Sequence, residues 1–383
     1  MTTALLRLRR AVPGALAAML LAVGAMPAAR MAAAAAATPA MAATSAASAT
    51  SAARVTPTAA NTPTAQVTPA APAPGARLPK LTLAGPPATV SAPLLHMIET
   101  GALAQFAERI EFVAWRDPDQ LRVLALDGKA DVLAMPTNVA ANLHNRGAPV
   151  MLLNVSTWGA LWMVSRAADR RTLADFRGQE VAIPFRADMP DIVFQTLVAK
   201  DGLDPRKDFR LRYVPTPMEA MQLLITRRVD HALLSEPAAS MALRKTKSFP
   251  IGLVAPELHR SVDLQQEWGR LFARPARIPQ AGITAVGAVR ARPDVIAAVE
   301  AAYARSMQWC TAHAQDCGAL LARHVELVGA DAIADSIALG RLEAVPAARA
   351  RAELEFFFGQ LLARDPAVIG GRLPPDAFYR SGQ

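Results

Sequence analysis

From Leu78 onward the chain alternates short apolar runs with helical stretches, and this alternation narrows the possible architectures sharply. LPKLTLAG (78–85), RIEFVAW (109–115), DVLAM, PVMLLNVS (149–156), ALWMVSR (160–166), EVAIPF (180–185), DFRLRYV (208–214) and DHALLS (230–235) read as strands. Residues 188–200, 216–228 and 236–245 read as helices between some of them. Leu94, Leu95, Ile98, Leu103 and Phe106 fall on one helical side after the first strand. Strands separated by helices build parallel α/β layers, because each helix returns the chain to the same end of the sheet. Between residues 149 and 185 the strands crowd together without a full crossover helix, which suits passage from one lobe to another. AGITAVGAVRA (281–291), after the irregular WGRLFARPARIPQ, reads as the return. The expected division is lobe one at 79–165, lobe two at 166–274, and 275–383 returning to lobe one as a mainly helical tail from Pro293. Loops beyond the carboxyl ends of strands in two facing lobes converge on a cleft.

The charge of the chain is misleading until it is located. Forty-one basic and 32 acidic residues give +9, which invites a nucleic-acid reading. Yet Arg7, Arg9, Arg10, Arg30, Arg54 and Arg77 precede residue 79 and the first acid is Glu99, leaving 35 basic and 32 acidic groups beyond. Arg7, Arg9 and Arg10 stand before an apolar stretch from Ala11 to Ala29 that runs into small residues, the order of a secretory signal. Residues 1–38 are read as a signal peptide directing the protein to the periplasm; Pro13, Gly14, Gly24 and Pro27 weaken the alternative of a retained membrane anchor. Residues 39–78, rich in Ala, Pro and Thr, read as a low-complexity tether. The nearly balanced remainder argues against a general nucleic-acid partner.

Catalytic patterns are missing. His96, His144, His231, His259, His313 and His324 are dispersed, so the sequence predicts no metal site. It contains no G-x-S-x-G elbow, GxxxxGK[ST] loop or glycine-rich dinucleotide turn, so neither enzyme activity nor a cofactor is expected. Cys310 and Cys317 would lie about 10.5 Å apart in one continuous helix, too far to bond. A bend near residues 314–316 brings them together as a disulfide in an oxidising compartment, and two buried thiols are the alternative.

Strand ends supply candidate ligand contacts. Thr137 and Asn138 follow DVLAMP at the start of a helix, where each can cap that helix or face the cleft. Asp188 is placed to cap the helix after EVAIPF, with Arg186 beside it. Glu236 leaves the strand DHALLS, Thr216 leaves DFRLRYV, and Gln280 stands at the return to lobe one. Trp115 sits at a strand end and Trp158 near the lobe junction, where either ring can wall a pocket or pack in a core.

An ordered series of segments carries a resemblance: DQLRVLALDGKADVLAMPTNVAA (119–141), GAPVMLLNV (147–155), TLADFRGQEVAIPF (172–185), LVAKDGLDPRKDFRLRYVPTPMEAMQLLITRRVDHALLSEP (197–237) and IGGRLPPDAFY (369–379). Taken together they resemble the periplasmic substrate-binding proteins of ATP-binding-cassette (ABC) importers, in the group of nitrate, sulfonate, taurine and thiamine-precursor binders. The resemblance implies a type II two-lobed periplasmic binding fold and a monomer that delivers a small organic solute to an inner-membrane permease driven by a separate ATPase. A periplasmic sensory module of the same fold is the alternative. Relatives with small anionic ligands often use an uncovered helix start after EVAIPF. Asp188 and Asp191 place negative charge there, although Arg186 can restore an anion site, and with the available tryptophans this turns the expectation toward a small organic or heteroaromatic solute.

Overall fold

The computed structural model describes residues 75–254, 257–326 and 328–380. The expected signal peptide and the tether up to residue 74 lie outside the described residues. Among the described residues there are twelve strands: β1 (Leu78–Gly85), β2 (Ala107–Ala114), β3 (Val132–Pro136), β4 (Val150–Leu152), β5 (Asn154–Thr157), β6 (Leu161–Ser165), β7 (Glu180–Pro184), β8 (Arg210–Val214), β9 (His231–Ser235), β10 (His259–Asp263), β11 (Ala281–Val286) and β12 (Leu342–Pro346). The helices are α1 (Ala92–Glu99), α2 (Pro118–Leu126), α3 (Thr137–Asn145), α4 (Met189–Lys200), α5 (Pro217–Ile225), α6 (Ala238–Lys247), α7 (Ile251–Val254), α8 (Leu264–Phe272), α9 (Pro293–Ala312), α10 (Ala314–His324), α11 (Ala330–Leu339) and α12 (Ala347–Arg364).

The strands form two sheets. One runs β12-β5-β11-β3-β1-β2, with β4 also on β11; the other runs β10-β6-β9-β7-β8. β1 pairs in parallel with β2 and β3, and β7 with β8 and β9, as helical crossovers require. Strands that arrive without a crossover helix run antiparallel: β11 against β3, β4 and β5, and β6 against β9 and β10.

Sheet pairing corrects three readings of the sequence. The division expected at residue 165 falls too late, because β6 pairs only within the second sheet and the passage lies at Trp158-Gly159-Ala160. Gly159 holds φ +128, and a Cβ there would stand 2.0 Å from Gln265 Cγ, so the passage needs glycine. The stretch read as irregular, WGRLFARPARIPQ, begins inside a helix, α8, capped by Asp263. Nor is the tail all helix, for LEAVP becomes β12, antiparallel to β5 at the sheet edge.

Local chemistry explains the register of the first sheet. Asp117 caps α2 by accepting from the Asp119 and Gln120 amides, and Gly128 turns the chain at φ +64. Asp131 Oδ2 then accepts from Thr82 N at 2.8 Å, tying the start of β3 to β1. Leu81 and Leu83 of β1 are fully buried with Leu94, Met97, Val299 and Tyr303 from α1 and α9. At Gly282 a Cβ would meet Asn154 O at 1.9 Å, so only glycine lets β11 approach this backbone.

The tail does more than cover one sheet. His313 breaks the helix (φ −127°, ψ 57°), and Cys310 and Cys317 are joined by a disulfide with their Cα atoms 5.1 Å apart. The α10–α11 pair packs on α1 of the first lobe and α6 of the second. One apolar cluster contains Leu95 of α1, Leu224 and Leu234 of the second lobe, and Leu320, Ile333 and Ile337 of the pair. Arg244 of α6 reaches Asp335 of α11 through Nη2 to Oδ1 at 2.8 Å.

Candidate functional site

A cavity of about 450 Å³ lies where the carboxyl ends of strands in both sheets face each other. The first lobe contributes the loop after β1 (residues 86–90), Trp115 after β2, and Met135 and Pro136 at the end of β3. From the second come Phe185 and Asp188 after β7, Thr216 after β8, and Ser235 and Glu236 after β9. Thr157, Ala160 and Gln280 line it at the lobe connection, while Val325, Glu326 and Val328 close one side. Two converging sets of strand ends are the expected place for a ligand in α/β sheets.

Five of the nine candidate contacts reach the cavity wall: Trp115, Asp188, Thr216, Glu236 and Gln280. Trp115 is 6% exposed, and its Nε1 donates to Ala134 O at 3.2 Å, which fixes the ring plane. Asp188 caps α4 through Oδ1, which accepts from Met189 N at 2.8 Å. Thr216 caps α5 by accepting from Glu219 N. Gln280 Oε1 accepts from Ala160 N, so this side chain serves the lobe connection as well as the wall.

Glu236 is occupied by its own protein. Oε1 accepts from Arg260 Nη2 at 2.8 Å and Nε at 3.2 Å, while Oε2 accepts from Ser240 N, Ser240 Oγ and Ser336 Oγ. The carboxylate is therefore neutralised, and its network ties β10, α6 and α11 together. Arg260 comes 24 residues later and has no sequence pattern linking it to Glu236.

The remaining four do not line the cavity. Thr137 is fully buried and donates to Pro279 O at 2.6 Å. Trp158 is buried at the passage, where Nε1 donates to Glu343 O and Arg277 covers the ring at 4.4 Å. Arg186 stands exposed over Tyr213, in an outer depression with Arg122 and Asp119. Asn138 is buried behind the wall; its side chain hydrogen-bonds Asp188 across the lobes, and its Oδ1 has no partner.

The electrostatics of the wall follow from this arrangement. Burial pushes the Asp188 carboxyl above the usual carboxylate range, opposed by the Met189 amide, Arg122 and Asn138. The cationic or titratable bases on the wall are Arg116, paired with Glu326 at 3.1 Å, and His324, near Glu99 at 3.8 Å. Sequence reasoning missed the loop 86–90 and Val325, Glu326 and Val328; the two prolines directly after Gly85 were the available signal for the first. Among the described residues no group of three His, Cys, Asp or Glu side chains could hold a metal ion, and no helix is long and apolar enough to cross a membrane.

Two α/β lobes with a cavity between their strand ends define the two-lobed periplasmic binding fold. No family profile and no curated protein matches the chain. Among solved structures it is similar to an ABC transporter protein from Parabacteroides distasonis, with TM-score 0.65 and 20% identity over 80% of this chain and 100% of that one. The periplasmic nitrate-binding protein of Synechocystis PCC 6803 gives TM-score 0.60 and 15% identity over 75% and 82%. The periplasmic aliphatic sulphonate-binding protein of Escherichia coli gives 0.57 and 17% over 80% and 95%. These likenesses establish the fold, type II and α/β.

Proposed function

We propose that this chain is the periplasmic solute-binding component of an ABC import system. Acting as a monomer without catalysis, it captures a small organic solute between its lobes and hands it to an inner-membrane permease powered by a separate ATPase. The observation that carries this reading is the cavity of about 450 Å³ at the strand ends of both lobes. That size suits a small organic molecule. The shared fold of the nitrate- and sulphonate-binding proteins supports the transport role, and the basic-then-apolar leader supports export. Closure of two lobes on a solute would present the permease with a surface that differs from the empty state.

The test combines small-angle scattering with transport. Addition of a solute recovered from the protein should shrink its radius of gyration, and the loaded protein should stimulate the ATPase of its reconstituted permease. A solute that binds without compaction and leaves the ATPase unchanged would refute the importer role.

A further inference from the structure

One carboxylate on the cavity wall, that of Asp188, keeps capacity to accept hydrogen bonds. Several helix starts abut the wall, those of α4, α5 and α6 among them, and bare helix starts ordinarily offer amides to anions. In each of these three, one amide is taken by the chain itself. Asp188 takes the Met189 amide, Thr216 takes the Glu219 amide and Glu236 takes the Ser240 amide. Pro190, Pro217 and Pro237, also on the wall, have no N–H to give. Arg116 pairs with Glu326 at the exposed rim.

Asp188 is in a different condition. Glu236 is saturated, but Asp188 makes no salt bridge among the described residues and accepts only from its own helix and Asn138. Asn138 is 3% exposed, and its Oδ1 is buried with no partner. A carboxylate can accept about four hydrogen bonds, so Asp188 has capacity left. The upward displacement of its carboxyl shows that this setting solvates the charge poorly, a penalty that a cationic guest relieves. Trp115 adds a fixed aromatic surface on the same wall.

Building on the proposed function, we infer that the cavity selects a small planar organic cation, whose N–H groups donate to Asp188 and whose ring packs beside Trp115, and that it rejects oxyanions. Asp188 is then the specificity residue and Asn138 positions it across the lobes.

Benzamidinium and benzenesulfonate serve as probes of similar ring size and opposite charge, titrated calorimetrically into the full-length chain. Benzamidinium should bind, benzenesulfonate should not, and Asp188→Asn should weaken benzamidinium at least about tenfold. Asparagine keeps an oxygen for the Met189 amide, and an unchanged melting profile verifies the fold; Asn138→Ala provides a second variant with the same expected direction. Binding of benzenesulfonate as tight as that of benzamidinium, no binding of benzamidinium, or equal affinity in both variants and wild type would overturn the inference. A parallel incubation with a small-molecule cell extract, followed by mass spectrometry of the released solute, separates the two levels. Recovery of an oxyanion overturns this inference and leaves the importer reading standing, whereas recovery of nothing overturns both.

Discussion

Replacing Arg260 with methionine tests the network around Glu236 directly. Glu236 has a side-chain exposure of 2% and Arg260 of 19%, so the ion pair is largely shielded from water. The substitution removes both guanidinium bonds to Oε1, at 2.8 and 3.2 Å, together with the bond to Ser240 Oγ at 2.7 Å. Stranding a buried charge in this way costs about 3–5 kcal/mol. Oε2 keeps its bonds from Ser240 and Ser336, which places the expected loss near the lower end, about 3 kcal/mol. Equilibrium urea unfolding of wild type, Arg260→Met, Glu236→Gln and the double variant gives the coupling. The double variant should recover most of the loss, because a neutral amide beside an apolar chain leaves no unpaired charge. A single-variant loss below about 1 kcal/mol, or a double variant no more stable than the sum of the singles, would refute the reasoning.

Three further outcomes are expected. Trp115→Ala should lower stability by about 3–5 kcal/mol in chemical unfolding, with Trp115→Phe losing less because it keeps most of the wall; equal losses would mean that the indole bond to Ala134 O, not ring packing, dominates. Changing Cys310 and Cys317 together to serine should cost about 2–3 kcal/mol, and reductant should then no longer shift the unfolding midpoint as it does in wild type. The Arg292 guanidinium holds the Asp294 carboxyl down at about 2, below its unfolded value near ~3.9. Its stabilisation is therefore complete above the unfolded value and is lost as pH falls through about 2. With the Asp294 side chain 33% exposed, solvent screening limits the effect to about 1 kcal/mol at neutral pH, and Asp294→Asn should flatten the acid limb of a stability–pH curve between about 4 and 2.

Short-range features were legible in the sequence. Gly128 and Asp131 announced the turn into β3, and Asp188, Thr216 and the prolines beside them marked helix starts at strand ends. The read strand 149–156 became β4 and β5, interrupted at Leu153, whose amide donates to Ile283 O. Distant partners were illegible. Trp158 is committed to the Glu343 carbonyl, 185 residues away, and Thr137 to the Pro279 carbonyl, 142 away. A tryptophan or threonine has the same local pattern whether it meets a ligand or a backbone oxygen. β12 was hidden for a related reason: its five residues lie between two helices, and only the exposed edge of β5 makes them a strand.

The passage between the sheets also sets how the lobes can move. Two chain segments cross there, and they are tied to each other: Gln280 N donates to Thr157 O, Ala160 N to Gln280 Oε1, and Ile278 N to Trp158 O. A single strand would leave the lobes free to bend, twist and slide. A laced pair resists twist and slip and leaves bending across its width as the soft coordinate. The α10–α11 pair, packed on α1 and on α6, adds a third tie, so any bending of the lobes must also carry or repack that pair.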